Sequence, residues 1–221
     1  FTNSGPLVAP TYGKKAMLGT NPIAVAVPAA SQKPFVLDMA TSIVPLGRIT
    51  VYQKENKPIP AGWGIDTNGN VTENPAEVSN GGALMPLGGT ALMRGYKGYG
   101  LALMVDIFCG VLAGAGFTDS VYGSGGEQPA NIGHFFAAIR IDAFREIGEF
   151  KQDMDALLLS LKNSPKADGE NRIFIHGEKE FENAERSNRE GIPISDAALA
   201  TLQKAGVEYG VPFDLKPLKV R

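Results

Sequence analysis

At 221 residues, with 43% hydrophobic and 20% charged side chains, the chain can bury a full core, which argues against intrinsic disorder. Its formal net charge is −2, with acidic and basic residues intermixed and no long run of like charge, so nucleic acid and anionic membrane surfaces are excluded as electrostatic partners. The single cysteine, Cys109, rules out an internal disulfide framework and a Cys-x-x-Cys zinc site, and makes a reducing, cytoplasmic setting the default.

The segments Ile23 to Val27 and Phe35 to Met39 are short and apolar, and Pro28, Ser31 and Pro34 lie between them, which predicts two strands and a turn. Ile43 to Val51 has helical spacing. Lys57 to Pro86 is rich in Pro, Gly and Asn yet carries the only tryptophan, Trp63, and is therefore expected to be an ordered, functional region rather than a linker. A glycine-rich turn, Gly95 to Gly100, leads into Leu101 to Ala115, which is apolar almost all round and reads as a helix in the middle of the fold. That run is interrupted by Asp106 and falls short of the roughly 20 residues a membrane span needs.

Further on, Asn131 to Asp142 alternates as a strand does. Phe150, Met154, Leu157, Leu158 and Leu161 fall on one face of a helix. Ile173 to Ile175 is expected as a short strand, and Glu178 to Arg189 as a polar helix. Ser195 is placed to cap a last helix that bears Leu199, Leu202 and Val207.

Spacing alone leaves the chemistry open. Gly98-Tyr99-Gly100 is followed by Leu103 where a dinucleotide fingerprint needs glycine, and no Gly-x-x-x-x-Gly-Lys loop exists. His134 and His176 are too few and too far apart to mark a metal site and read as structural or surface residues. Asp38, at the end of an apolar strand, must cap, pair or meet a ligand. Lys97, between Gly95 and Gly98, is either an exposed turn lysine or a cation that meets a phosphate. Asp106 requires a basic side chain or a backbone amide. Thr41, Ser42, Gly47 and Arg48 read equally as a helix cap or as an anion-binding helix start.

Six sequence motifs then carry a resemblance. They are Thr2-Asn3-Ser4, Gly19-Thr20-Asn21-Pro22-Ile23, Leu37-Asp38-Met39-Ala40-Thr41-Ser42, Pro60-x-Gly62-Trp63, Pro86-Leu87-Gly88-Gly89 and Gly95-Tyr96-Lys97-Gly98-Tyr99-Gly100-Leu101. In this order and spacing, as far as about Gly210, the chain resembles the malate/L-lactate dehydrogenase family, whose members also include ureidoglycolate, sulfolactate and diketogulonate oxidoreductases and cyclic-imine reductases.

The resemblance implies a mixed α/β fold that is not the doubly wound one: a largely antiparallel sheet with flanking helices that binds NAD, with NADP as the alternative. It implies a homodimer and a small 2-oxo or 2-hydroxy acid substrate, with malate and oxaloacetate favoured by the malate-type segments around Pro10, Met17 and Pro86. Residues 1–145 would form the cofactor-binding domain. Residues 146–221 would form a helical region that completes the site and packs on a preceding part. Ser4 would lie by the nicotinamide end. The strand Pro34, Phe35, Val36, Leu37, Asp38, Met39 and Ala40 would line the cofactor, Tyr96 and Lys97 would make a second contact, and Gly177, Glu178 and Lys179 a third, which makes the phosphate reading of Lys97 the preferred one.

Relatives carry roughly 120–140 residues ahead of the Thr-Asn-Ser motif. Their catalytic histidines and substrate-binding arginine lie there, so no catalytic residue is expected within this chain, and the chain itself is expected to be a fragment. Arg48 departs from the lysine common in relatives, which keeps the charge and changes the donor geometry.

Overall fold

The computed structural model describes residues 1–122 and 128–215. Two antiparallel sheets and six α-helices make up the regular structure. Strands β1 (Ile23–Val27) and β2 (Phe35–Met39) form a hairpin with Ile23 opposite Met39 and Val27 opposite Phe35. Helix α1 (Leu46–Lys54) follows, starting directly after Pro45, whose fixed φ suits a helix entry.

The Pro- and Gly-rich region from Lys57 to Pro86 is ordered, as expected, and more regular than its composition suggests. It contains β3 (Gly64–Ile65), β4 (Val71–Thr72) and β5 (Ala83–Leu84), in the order β4-β3-β5, with helix α2 (Pro75–Ser79) between β4 and β5. Asn74 caps α2 by accepting from the Ala76 amide, and Pro75 occupies the first turn, where its missing N–H costs nothing. Trp63 packs edge-on to Tyr52 of α1, and both lie against a core of Val8, Leu18, Ile49, Ile59, Val78, Leu84 and Ala102.

Ala102 comes from helix α3 (Tyr96–Asp106), which widens into a π-helical turn at Ile107–Val111. This element corrects the expectation of a helix buried all round. Ala102, Val105, Asp106, Cys109 and Gly110 face inward, while Leu101, Leu103, Ile107, Val111 and Leu112 are exposed. Among the described residues, nothing covers this apolar outer face.

Two expected strands are absent for a related reason. Among the described residues, the stretch from Asn131 to Asp142 makes one bridge, His134 to Thr2, and Ile173 to Ile175 makes no strand pairing. Alternation marks a strand only where a neighbouring edge exists to receive its amides, and here Phe136 and Ile139 stand in solvent.

The C-terminal region is helical: α4 (Ile147–Asn163), α5 (Glu178–Glu190) and α6 (Asp196–Tyr209). Ser195 caps α6 through the Ala198 amide as its position predicts, and left-handed Gly210 ends it. On α4 the inward line is Phe150, Met154 and Leu158, but Leu157 and Leu161 are exposed, and on α6 so are Leu202 and Val207.

One carboxylate fastens α4 to the β1–β2 turn. Asp155 accepts from the amides of Ala30, Ser31 and Gln32 at 2.8–3.1 Å and from the Ser31 hydroxyl at 2.6 Å. The Ser31 hydroxyl, then the turn amides, pull its pKa down to about 2. Because the folded value lies below the ordinary one, this attachment is fully present above about pH 4 and is lost as pH falls through about 2. Amide exchange at Ala30 to Gln32 is expected to stay slow at pH 4 and to quicken near pH 2, and in Asp155→Asn to be fast at both. Equal exchange in the two proteins at pH 4 would show that the turn is held by something else.

Candidate functional site

The segments singled out by resemblance lie on different elements, and the structure connects most of them through backbone. Phe35 to Met39 form β2, with Pro34 leading in and Ala40 leading out. Its paired edge is taken by β1, yet most of its side chains remain partly open. Asp38 is exposed opposite Ala24 and, among the described residues, neither caps a helix nor pairs with a cation. Of the alternatives the sequence left for it, the capping role is therefore removed.

The loop before α5 closes on the other side of β2. The Val36 amide donates to the His176 carbonyl at 3.1 Å, and the Phe35 and His176 rings meet edge to face at 5.6 Å. Gly177 makes this approach possible: its φ is 94°, and a Cβ there would sit 3.0 Å from Val36 Cβ and 3.3 Å from the Val36 carbonyl oxygen. Pro34 to Ala40 and Gly177 to Lys179 are thus brought together.

Within the loop, Glu178 is committed to the protein. Its carboxylate takes the Lys162 ammonium at 2.6 Å, the Arg172 guanidinium at 3.3 Å and the Ile175 amide at 3.0 Å. Burial works to raise its pKa, but these donors outweigh it and hold the group below the ordinary carboxylate value. Lys179 lies 4.6 Å over the Phe174 ring, which Arg172 also covers at 4.4 Å. The sequence reading missed Lys162, Arg172 and Phe174, because nothing in their spacing signals that they converge on Glu178 and Lys179.

Tyr96 and Lys97 open α3. Both are exposed, and no salt bridge among the described residues engages Lys97. They connect to β2 indirectly: a Cβ on Gly98 would meet Leu87 backbone at 2.3 Å, and the Leu87 amide donates to the carbonyl of Thr41, just beyond Ala40. Thr41 and Ser42 do not cap α1, whose N-cap is Pro45 without a side-chain bond; their hydroxyls donate instead to the carbonyls of Thr20, Asn21 and Val44. Arg48 lies over the Tyr52 ring on α1.

Ser4 lies where the Thr2-Asn3-Ser4 and Gly19 to Ile23 motifs cross. Its amide donates to Asn21 Oδ1 at 3.3 Å, while its Oγ is enclosed and has no hydrogen-bond partner. Asp106 resolves in favour of neutral donors: it accepts from Asn21 Nδ2 at 3.2 Å and from the Thr118 amide at 2.9 Å. Cys109 is fully buried, and burial pushes its thiol up. Neither histidine has a carboxylate partner, and no group of metal-ligating side chains exists among the described residues. A cavity of about 430 Å³, lined by Thr11, Tyr12, Lys14, Asn68 and Met85, opens on the far side of the Met85–Pro86 segment.

The chain is a mixed helix-and-strand fold with small antiparallel sheets, and its structural neighbours are malate and sulfolactate dehydrogenases. The family model described as malate/L-lactate dehydrogenase matches residues 1–203, and the chain belongs to that family. The malate dehydrogenase of Pyrococcus abyssi is 47% identical over 212 residues, and the malate/(S)-sulfolactate dehydrogenase of Methanothermus fervidus is 33% identical; each alignment covers 96% of this chain, and 58% and 59% of those proteins. Among solved structures, malate dehydrogenase from Entamoeba histolytica superposes with a TM-score of 0.87 at 32% identity, covering 97% of this chain and 61% of that one. That of Pyrococcus horikoshii gives 0.83 at 44%, covering 96% and 57%. The chain therefore spans about three fifths of the length of these relatives.

Replacing Gly177 by alanine is expected to cost about 1–3 kcal/mol, through left-handed strain and the clash with Val36. Thermal or denaturant unfolding of Gly177→Ala measures this. Unchanged stability would mean that the loop does not press on β2 as described.

Proposed function

We propose that this chain is the cofactor-holding part of a nicotinamide-dependent oxidoreductase that interconverts a 2-oxo acid and its 2-hydroxy acid, with oxaloacetate and (S)-malate as the pair. The observation that carries the reading is the backbone approach of the Gly177 loop to β2 beside an exposed and unpartnered Asp38. Similarity to malate dehydrogenases at 44–47% identity supports the choice of substrate.

The residues present suit a dinucleotide. Lys97 offers an unpaired ammonium for a phosphate. Ser4 Oγ is a polar group that the protein leaves without a partner, suited to the nicotinamide end. Asp38 presents a carboxylate that favours a ribose 2′-hydroxyl over a 2′-phosphate, so NAD is proposed over NADP. The exposed faces of Pro34 to Ala40 would supply the apolar wall, and Gly177 to Lys179 would close the site with backbone. When bound, the nicotinamide supplies a hydride for the carbonyl carbon of the 2-oxo acid. The matching proton is assigned to a group outside these residues, since neither His134 nor His176 has the carboxylate partner that orients a general acid.

Residues 1–145 are proposed as the cofactor-binding domain and the following helices as the region that completes it, held by Asp155 and by the Val36–His176 bond. The last six residues, 216–221, lie outside the described part. The chain exposes 14939 Å², against about 9,700 Å² expected for a self-contained protein of 23.4 kDa. That surplus, with the apolar outer face of α3, supports cover by further protein, including a second subunit in a homodimer. A reducing, cytoplasmic setting suits the buried free thiol of Cys109.

The test is NADH oxidation by the protein that contains this chain, with oxaloacetate against pyruvate and a cyclic imine. Turnover is expected with oxaloacetate first, and Lys97→Ala is expected to raise the KM for NADH about tenfold. Preference for the imine or for pyruvate would move the substrate assignment, and no turnover with any of them would defeat the enzymatic reading.

A further inference from the structure

Three of the segments assigned to the cofactor meet at one buried residue that has no assigned role. Asn21 is completely buried. Its Oδ1 accepts from the Ser4 amide, its Nδ2 donates to the Ala102 carbonyl at 2.9 Å and to Asp106 Oδ1, and its own carbonyl accepts from Thr41 Oγ1 at 3.0 Å. Ser4, the end of β2 and the helix that begins with Tyr96 and Lys97 are thereby fixed to one residue. Asn21 also holds a left-handed backbone, φ 38°; its side-chain amide reaches Ser4 and α3, and its main-chain carbonyl takes Thr41.

Asp106 completes the device. It is 3% exposed and carries no cation among the described residues, so its oxygens are satisfied only by Asn21 Nδ2 and the Thr118 amide. A buried carboxylate met only by neutral donors is costly to retain for stability, and an apolar residue would serve a plain core better. What it does supply is a fixed orientation: with Asp106 accepting, Asn21 must present Nδ2 to α3 and Oδ1 to Ser4. Gly19 leaves the space this needs, since a Cβ there would fall 2.3 Å from Ser4 Oγ and 2.5 Å from Asn21 Oδ1.

We propose that Asn21 and Asp106 are a positioning pair that sets Ser4 for the bound nicotinamide cofactor. The inference rests on the cofactor reading given above. It is tested by a double-mutant cycle on NADH affinity, read by fluorescence titration of the protein that contains this chain, using Ser4→Ala, Asn21→Ala, the near-isosteric Asp106→Asn, and each of the latter two combined with Ser4→Ala. Melting temperature is followed in parallel to identify variants that fail to fold, and Asp106→Asn carries the test if Asn21→Ala does not fold. Each single change is expected to weaken NADH binding about tenfold, and each double variant to be no weaker than the weaker of its singles, because the pair acts through Ser4. Fold-changes that multiply in the doubles, or unchanged affinity in folded Asp106→Asn, overturn the positioning role while leaving the cofactor reading intact. A wild-type protein that binds neither NADH nor NADPH overturns both.

Discussion

The fold around the candidate site depends on the buried amide of Asn21. Few side chains can donate and accept at once in a dry environment, and this one ties the crossing of the first two motifs to α3, while the Asn21 main-chain carbonyl takes Thr41 at the end of β2. Removing it would leave the Ser4 amide, the Ala102 carbonyl and Asp106 without that partner in the interior, each at about 1–3 kcal/mol. Asn3 repeats the arrangement one layer away, donating to the Gly116 carbonyl and accepting from the Gly133 amide. The two asparagines hold the amino-terminal stretch, α3 and the segment near His134 in one polar frame. The hydrophobic core of Val8, Ile49, Leu84 and Ala102 packs beside that frame.

From this frame the site is built outward with progressively less cover. β2 leaves Thr41 and runs into a hairpin that is largely open, and the Gly177 loop reaches it by backbone. The loop is itself kept in shape by Glu178 between Lys162, Arg172 and the Ile175 amide. Strand and loop are joined by backbone at Val36, while the side chains of Phe35 to Met39 stay partly or fully exposed beside that joint. The outer apolar side of α3 and Leu202 and Val207 of α6 have the pattern of packed helices yet stay exposed among the described residues.

Local signals were legible where the physics is local. The hairpin, α1, α5 and the Ser195 cap all follow from short apolar runs, turn residues and capping chemistry. The strands expected at 131–142 and 173–175 failed because pairing is a property of two segments: the first keeps one isolated bridge, His134 to Thr2, and the second has no strand partner among the described residues. Leu101 to Ala115 was read as buried all round because hydropathy does not say which apolar face has a neighbour in the same chain. At the site, the glycines of the motifs were readable and Asn3 and Asn21 were in plain view within them, but their role was not. An asparagine in a turn and one that organises a buried frame look the same until the carbonyls around them are placed. The convergence of Lys162, Arg172 and Phe174 was likewise invisible, since it depends on how α4 lies beside the loop before α5.

Amide hydrogen exchange with and without saturating NADH tests whether this frame presents β2 and the Gly177 loop to a nicotinamide cofactor. Slower exchange is expected across 35–40 and 177–179, with a smaller effect at 96–97 and at Ser4. Protection confined to the cavity around Thr11, Tyr12 and Asn68, or no protection anywhere under conditions where NADH is bound, would contradict it.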